Sequence, residues 1–369
     1  MTEAIEHPAA SRPAMRGASY ALGAAALFGA ATPGAKILLA DTSPVILSAL
    51  LYLGAAVGLM VLRLAGARRD PLRREAPLRG EDFTILTIIT ILGGVAGPLL
   101  MLYGLTRVSA LAGSLLLNLE APFTMMLAVT AFNEYLGGRA LLGAATIILG
   151  AVVIGWAPGN FHADAAGAVC IAGACLCWAV DNNLSQRLTI RDPTAIAHVK
   201  ALGAGVTTTI IALVMGARLP GPSTSVAALI LGALSYGLSL YLAMHALRIL
   251  GAAREAAFFA TAPFIGALIS IVIFGRPLGV NEWLAAALMA AGAAMLLGER
   301  HSHTHAHEQL AHEHLHVHDA HHRHAHPPEI SDAEPHTHPH NHVRLVHSHP
   351  HASDSHHRHS HRENSGHTD

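Results

Sequence analysis

Apolar residues fall in long blocks from about position 17 to position 299, separated by short polar breaks. A helix needs roughly 20 mainly apolar residues to cross a bilayer core. Ten blocks meet that length or come close to it: 18–39, 45–64, 83–105, 109–131, 138–156, 165–187, 195–216, 225–246, 253–274 and 281–298. Turn-forming residues punctuate the breaks, as in Asp41-Thr42-Ser43-Pro44, Ala157-Pro158-Gly159, Arg191-Asp192-Pro193, Leu219-Pro220-Gly221-Pro222 and Arg276-Pro277. In lipid a backbone must satisfy its own polar groups, and a helix does so span by span. The pattern therefore predicts an all-α integral membrane protein. The first block is longer than the apolar core of a cleaved leader and follows Arg12 and Arg16, so it reads as an uncleaved first span.

The two halves of the apolar region match each other. RVSALAGSLLLNLEAPF at 107–123 lies on RILGAAREAAFFATAPF at 248–264, with an arginine first and Ala-Pro-Phe last in both. ALFGAATPGAK at 26–36 lies on LCWAVDNNLSQ at 176–186, and Pro44 on Pro193. Each half holds five blocks, an odd number, so the second half is inverted relative to the first. An inverted repeat favours a carrier with its site at the repeat interface. The expected organisation is an N-terminal cytoplasmic segment at 1–16, a first five-helix repeat at 17–156 and a linker at 157–164. A second repeat at 165–299 and a tail at 300–369 follow.

Charge adds orientation. Only 13% of residues are charged and the net charge is −1, so the distribution carries the information. With the N-terminus inside, fourteen arginines up to and including Arg300 fall in inner segments, and only Arg107, Arg218 and Arg276 in outer ones. This positive-inside bias puts both termini in the cytoplasm of a multi-pass protein of the cytoplasmic (inner) membrane. Cys170, Cys175 and Cys177 lie within one span, without zinc-ribbon spacing, and read as packed thiols.

The paired units LEAPFTMMLAVTAFNEYLGGRALLGAATIILGAVVIG at 119–155 and TAPFIGALISIVIFGRPLGVNEWLAAALMAAGAAML at 261–296 resemble those of EamA-type members of the drug/metabolite transporter superfamily. The resemblance covers about residues 17–299. It implies ten helices in two inverted repeats. It also implies a secondary carrier of small organic solutes such as amino acids, metabolites or drugs, many of them exported. Glu134 fills the loop glutamate of the first unit, whereas the second has Arg276-Pro277 there. No phosphate-loop motif is present, so no nucleotide motor is encoded.

Charges within spans are costly and face a cavity or a partner. The candidate substrate or proton pathway is Glu120 and Asn118 in the fourth span, Trp178, Asp181, Asn182 and Asn183 in the sixth, His198 and Lys200 in the seventh, and Lys36 in the first. Three consecutive residues of a helix span about 200°, at about 100° per step, so Asp181, Asn182 and Asn183 cannot share one face. The alternative for them is a helix-end cluster paired with Arg187. Lys36 and Lys200 have Glu120 and Asp181 or a carboxylate substrate as candidate partners, and Lys36, close to the outer end of its helix, is read first as snorkelling. Pro122 frees a carbonyl in the fourth span and Pro263 does so at the matching place, which predicts two helix breaks. Glu120 leads the acids, because low dielectric favours the protonated carboxyl and so proton-coupled exchange.

The tail holds 24 of the 28 histidines. Its composition predicts disorder. His301, His303, His305, His307, His312, His314, His316, His318, His321, His322, His324 and His326 are interchangeable candidate ligands for Zn, Ni, Co or Cu. Two other readings stay open: a carrier of divalent metals or their chelates, and a carrier gated by metal or pH at the tail. No cofactor is required and no nucleic-acid partner is expected. Monomer and homodimer are both compatible. No GxSxG or HExxH motif supports an enzyme; His307-Glu308-Gln309-Leu310-Ala311-His312 is one residue too long.

Overall fold

The computed structural model describes residues 11–66, 77–132, 137–155, 165–185, 188, 191–250, 255, 258–275 and 278–297. In the tail it describes the backbone of 301–307, 311–316, 336–341 and 345–351. Among the described residues, ten helices account for the apolar blocks: α1 (Met15–Leu38), α2 (Pro44–Leu64), α3 (Asp82–Arg107), α4 (Ala110–Ala131), α5 (Gly138–Ile154), α6 (Ala165–Ser185), α7 (Pro193–Val214), α8 (Pro222–Ala246), α9 (Ala262–Phe274) and α10 (Val280–Leu296). Seven are long and apolar enough to cross a membrane, and α5, α9 and α10 are shorter apolar helices. Large apolar side chains such as Val57, Leu141, Val169, Leu213 and Val272 stand exposed on the outside. A water-soluble surface rarely carries so much apolar area, whereas lipid accepts it.

The packing is that of a pseudo-two-fold. Helix α2 packs on α7, α4 on α9 and α5 on α10, each pairing a helix with its repeat mate. Helix α1 packs on α8 as α6 packs on α3, and α1 on α9 as α6 on α4. Small residues make the close crossings. At the α1–α9 crossing, a Cβ on Gly266 would lie 2.6 Å from the Gly29 carbonyl oxygen. At the α5–α10 crossing, a Cβ on Gly292 would lie 2.6 Å from the Gly143 carbonyl oxygen. Without a hydrophobic force between helices in lipid, such backbone approach and the dispersion it allows hold the bundle.

Helix irregularities also repeat. Helix α3 has a π-helical stretch, Thr90–Ala96, and α8 has one at Ala233–Leu238. In the alignment that places Arg107 on Arg248 these stretches nearly coincide. Helix α4 is broken by a 3-10 turn at Leu117–Leu119, just ahead of Pro122. Helix α9 starts at Ala262 with Pro263 in its first turn. Both proline positions thus mark a break, as their chemistry predicts. The short ninth helix reflects this: its expected beginning at 253 precedes the break.

Polar ends are tied down locally. Asp192 caps α7 by accepting from the backbone N–H groups of Thr194 (2.8 Å) and Ala195 (3.1 Å). Beside it Arg191, 6% exposed, donates to Asp82 (2.8 Å) and Glu81 (2.9 Å) at the start of α3.

The tail segments form strands β1 (His301–His307), β2 (Ala311–His316), β3 (His336–Asn341) and β4 (Leu345–His351). β1 pairs with β4 and β2 with β3, both antiparallel. These segments depart from the disorder that composition predicts. The reason is in the sequence: histidine at every second position has the period of a strand. Candidate ligands His318, His321, His322, His324 and His326 lie outside the described residues, as do Glu134, Arg187, Arg276 and Pro277.

The crossing geometry generates a test. Gly292→Leu overpacks the α5–α10 contact and should cost about 1–3 kcal/mol of stability. Gly138→Ala, where a Cβ would meet nothing within 4 Å, should leave stability unchanged. Thermal unfolding of the two variants in detergent reads the difference, and equal midpoints would refute the close-packing account.

Candidate functional site

Six of the nine pathway residues named from the sequence come together where α3, α4, α6 and α7 meet. The π-helical stretch of α3 is the floor. Its irregular ladder presents the Gly93 carbonyl sideways, and two neighbours use it: Trp178 of α6 donates from Nε1 at 3.0 Å, and Tyr52 of α2 from its hydroxyl at 3.3 Å. Gly93 is also where Asp181 rests, since a Cβ there would collide with its carboxylate. π-helical turns are frequent at functional sites.

Asp181 is 4% exposed. Its Oδ2 pairs with Lys200 Nζ of α7 and its Oδ1 accepts from the Ser185 hydroxyl at 3.0 Å. The buried carboxylate therefore has a cation and a hydrogen-bond donor, which is the condition for keeping a charge away from water. The next residue turns the other way. Asn182 Nδ2 donates to Glu120 Oε1 of α4 at 2.7 Å. Asn183, 2% exposed, donates to the Thr124 carbonyl of α4 at 3.0 Å and to Ala179 at 2.8 Å. The three residues thus separate by the helical rotation, one toward α3 and α7, two toward α4. Asn182 is exposed and Glu120 half-buried, so their bond lies on the accessible side of the cluster.

The repeat-related side is aromatic. Tyr236, in the π-helical stretch of α8, lies 5.6 Å from the Tyr52 ring and 5.9 Å from Phe28 of α1. Phe28 in turn lies 5.2 Å from Phe259. Tyr52 joins the two sides, with its ring on Tyr236 and its hydroxyl on Gly93.

Three expected pathway residues sit elsewhere. Lys36 does not pair with Glu120. Its ammonium donates to the carbonyls of Leu105 and Val108 (2.8 Å to the latter), closing the end of α3. The last carbonyls of a helix lack intrahelical donors, and a nearby lysine satisfies them. Asn118 lies in the 3-10 turn of α4, donating to Leu115 at 2.9 Å and touching the Met289 sulfur at 3.9 Å. His198 Nδ1 bonds the Ala56 carbonyl of α2 at 3.1 Å and is buried. Cys175, read from sequence as a packed thiol, also points its sulfur at the Leu116 and Leu117 carbonyls at 3.7 and 3.9 Å, where α4 breaks. Tyr52, Gly93, Thr124 and Ser185 belong to the cluster without any sequence signal that marks them. Among the described residues of the membrane helices, no group of three or more His, Cys, Asp or Glu is gathered to hold a metal.

The pattern of the EamA-like transporter family matches residues 15–156 and again 165–298. An uncharacterized transporter of Methanothermobacter thermautotrophicus is 30% identical over 283 residues, covering 73% of this chain and 82% of that relative. A solved crystal structure shares the fold with a TM-score of 0.56 at 18% identity, over 76% of this chain and 96% of its own.

The Asp181–Lys200 pair predicts a coupled mutational response. Removing one partner of a buried pair typically costs about 3–5 kcal/mol, because the other charge is stranded. Asp181→Asn and Lys200→Met should each lower the unfolding temperature, and the double variant should regain more than half of the loss. Additive losses would show that the two side chains do not act as a pair.

Proposed function

Since the chain belongs to the EamA-like transporter family, and so is a multi-pass membrane transporter, we propose that it carries a small organic solute by alternating access, in exchange for protons bound at Glu120. The observation that carries this reading is the asymmetric environment of the two acids. Asp181 is buried and neutralised by Lys200, whereas Glu120 is half-buried and held by one exposed amide. An exposed polar pair facing hydrocarbon would be costly. The Glu120–Asn182 bond therefore faces a water-accessible path, and Glu120 is the acid within reach of protons.

Proton binding there has a mechanical consequence. Asn182 donates to a carboxylate, and a charge-assisted bond is roughly twice as strong as its neutral counterpart. A proton on Glu120 removes the charge and weakens the tie between α4 and α6. Among the described residues, the equivalent contact in the other repeat, α9 with α1, is made by small residues such as Gly29 and Gly266 rather than by an acid. One contact is thus sensitive to protons and its mate is not, which is what a proton-driven swing between two inverted repeats requires. The Lys200–Asp181 pair and the Tyr52, Trp178, Tyr236 and Phe28 rings supply a wall that is polar on one side and aromatic on the other. That combination suits an organic solute with both characters. Outward movement is the direction proposed, and the arginine distribution supports cytoplasmic termini.

The test has two steps. Metabolite profiles of cells with and without the protein identify the solute, and proteoliposomes then measure its transport under an imposed proton gradient. Glu120→Gln should reduce gradient-driven transport at least tenfold while exchange without a gradient persists. Wild-type rate with unchanged gradient dependence would sink the proposal.

A further inference from the structure

The tail strands share one register. In β1 and β4, His301 lies opposite His351, His303 opposite His349 and His305 opposite His347. In β2 and β3, His312 lies opposite His340, His314 opposite His338 and His316 opposite His336. Every one of these pairs is centred on position 326, so the two ribbons are parts of one hairpin register. The histidines change phase once in each arm. They occupy odd positions in β1 and even ones in β2, even positions in β3 and odd ones in β4. The changes fall within 308–310 and 342–344, which match across the same centre. Had only one arm changed phase, histidines would oppose other residues in one of the ribbons. A tail that binds ions by composition alone has no need of this correspondence.

We propose that these six cross-strand histidine pairs form a ladder of metal sites for borderline divalent transition ions such as Zn²⁺, Ni²⁺, Co²⁺ and Cu²⁺. The backbone places the ligand type and the spacing. Directly opposed residues have Cβ atoms about 4.5–5.5 Å apart. Two imidazoles from such positions suit one ion at metal–nitrogen distances of about 2.0–2.1 Å. Successive rungs follow at roughly 7 Å along the strand. Two rungs together supply the four nitrogens of a tetrahedral site. Neutral imidazole favours these ions over Mg²⁺ and Ca²⁺, which take oxygen ligands. Metal also accounts for the ribbon itself. A two-stranded ribbon is marginal in water, and ions bridging the arms cross-link them. The site lies outside the membrane helices and stands apart from the transport reading.

A composition-preserving variant tests the register. Each histidine of β3 exchanges with its following neighbour (H336T/T337H, H338P/P339H, H340N/N341H). Each histidine of β4 exchanges with its preceding one (V346H/H347V, S348H/H349S, P350H/H351P). The two strands shift in opposite directions, so no single slip restores all six pairs. Full-length wild-type and variant proteins in nanodiscs are titrated with zinc sulfate and with magnesium sulfate by calorimetry, and Cu²⁺ electron paramagnetic resonance counts bound nitrogens. The wild type should bind Zn²⁺ at least tenfold more tightly than the variant, with no Mg²⁺ uptake, and hold Cu²⁺ on two or more nitrogens. Equal zinc affinity in the two proteins would overturn the ladder and leave composition as the whole account. Absence of zinc binding in the wild type would overturn it too.

Discussion

A carboxylate enclosed by helices in lipid must find its cation and its hydrogen-bond donors within the protein, and Asp181 finds both. Lys200 and Ser185 supply them. The arrangement around this acid follows from that need. Helix α3 offers a glycine where the carboxylate sits, because any side chain at position 93 would occupy its place. The same helix leaves its regular path over Thr90–Ala96, so the Gly93 carbonyl becomes available to Trp178 and Tyr52. Four helices are thereby joined around one charge. The polar contacts are few, but each sits in low dielectric, where an unmade bond is expensive.

The two-fold plan gives the bundle its frame, and departures from it give the site its character. Helix pairs, π-helical stretches and proline breaks recur across the repeats. The side chains at the centre do not. Glu120, Asp181 and Lys200 belong to one side of the pseudo-two-fold, and Phe28, Tyr236 and Phe259 to the other. A symmetric frame provides two related conformations of similar energy. An asymmetric lining allows a ligand or a proton to favour one of them, and only such differential binding shifts an equilibrium between states.

Lys36 and Lys200 show how far a linear reading reaches. Both are lysines within apolar spans, and the linear pattern allows each an acid partner or a carboxylate substrate, with a snorkelling position read first for Lys36. Lys200 meets Asp181, and Lys36 closes the end of α3 on Leu105 and Val108. Asn118 and Asn182 divide in the same way. Asn182 crosses to Glu120, while Asn118 stays within its own helix turn and touches Met289. Tyr52 gave no signal at all, because a tyrosine in an apolar helix has the same local pattern whether it faces lipid or a carbonyl on the next helix.

What the sequence by itself determined is what acts locally along the chain. Hydropathy set the ten apolar helices, the internal match set the repeat, and proline placed the two breaks. Each depends on a residue and its near neighbours. Alternating histidine even carried the period of the tail strands, although composition pointed the other way. What only the tertiary structure decided is which side chain meets which. That choice depends on the rotation of each helix about its axis and on crossings such as Gly29 with Gly266, which bring residues far apart in sequence to within a hydrogen bond of each other. A helix repeats its faces about every 3.6 residues, so one residue of rotation changes every partner, and only packing against the neighbouring helices fixes it.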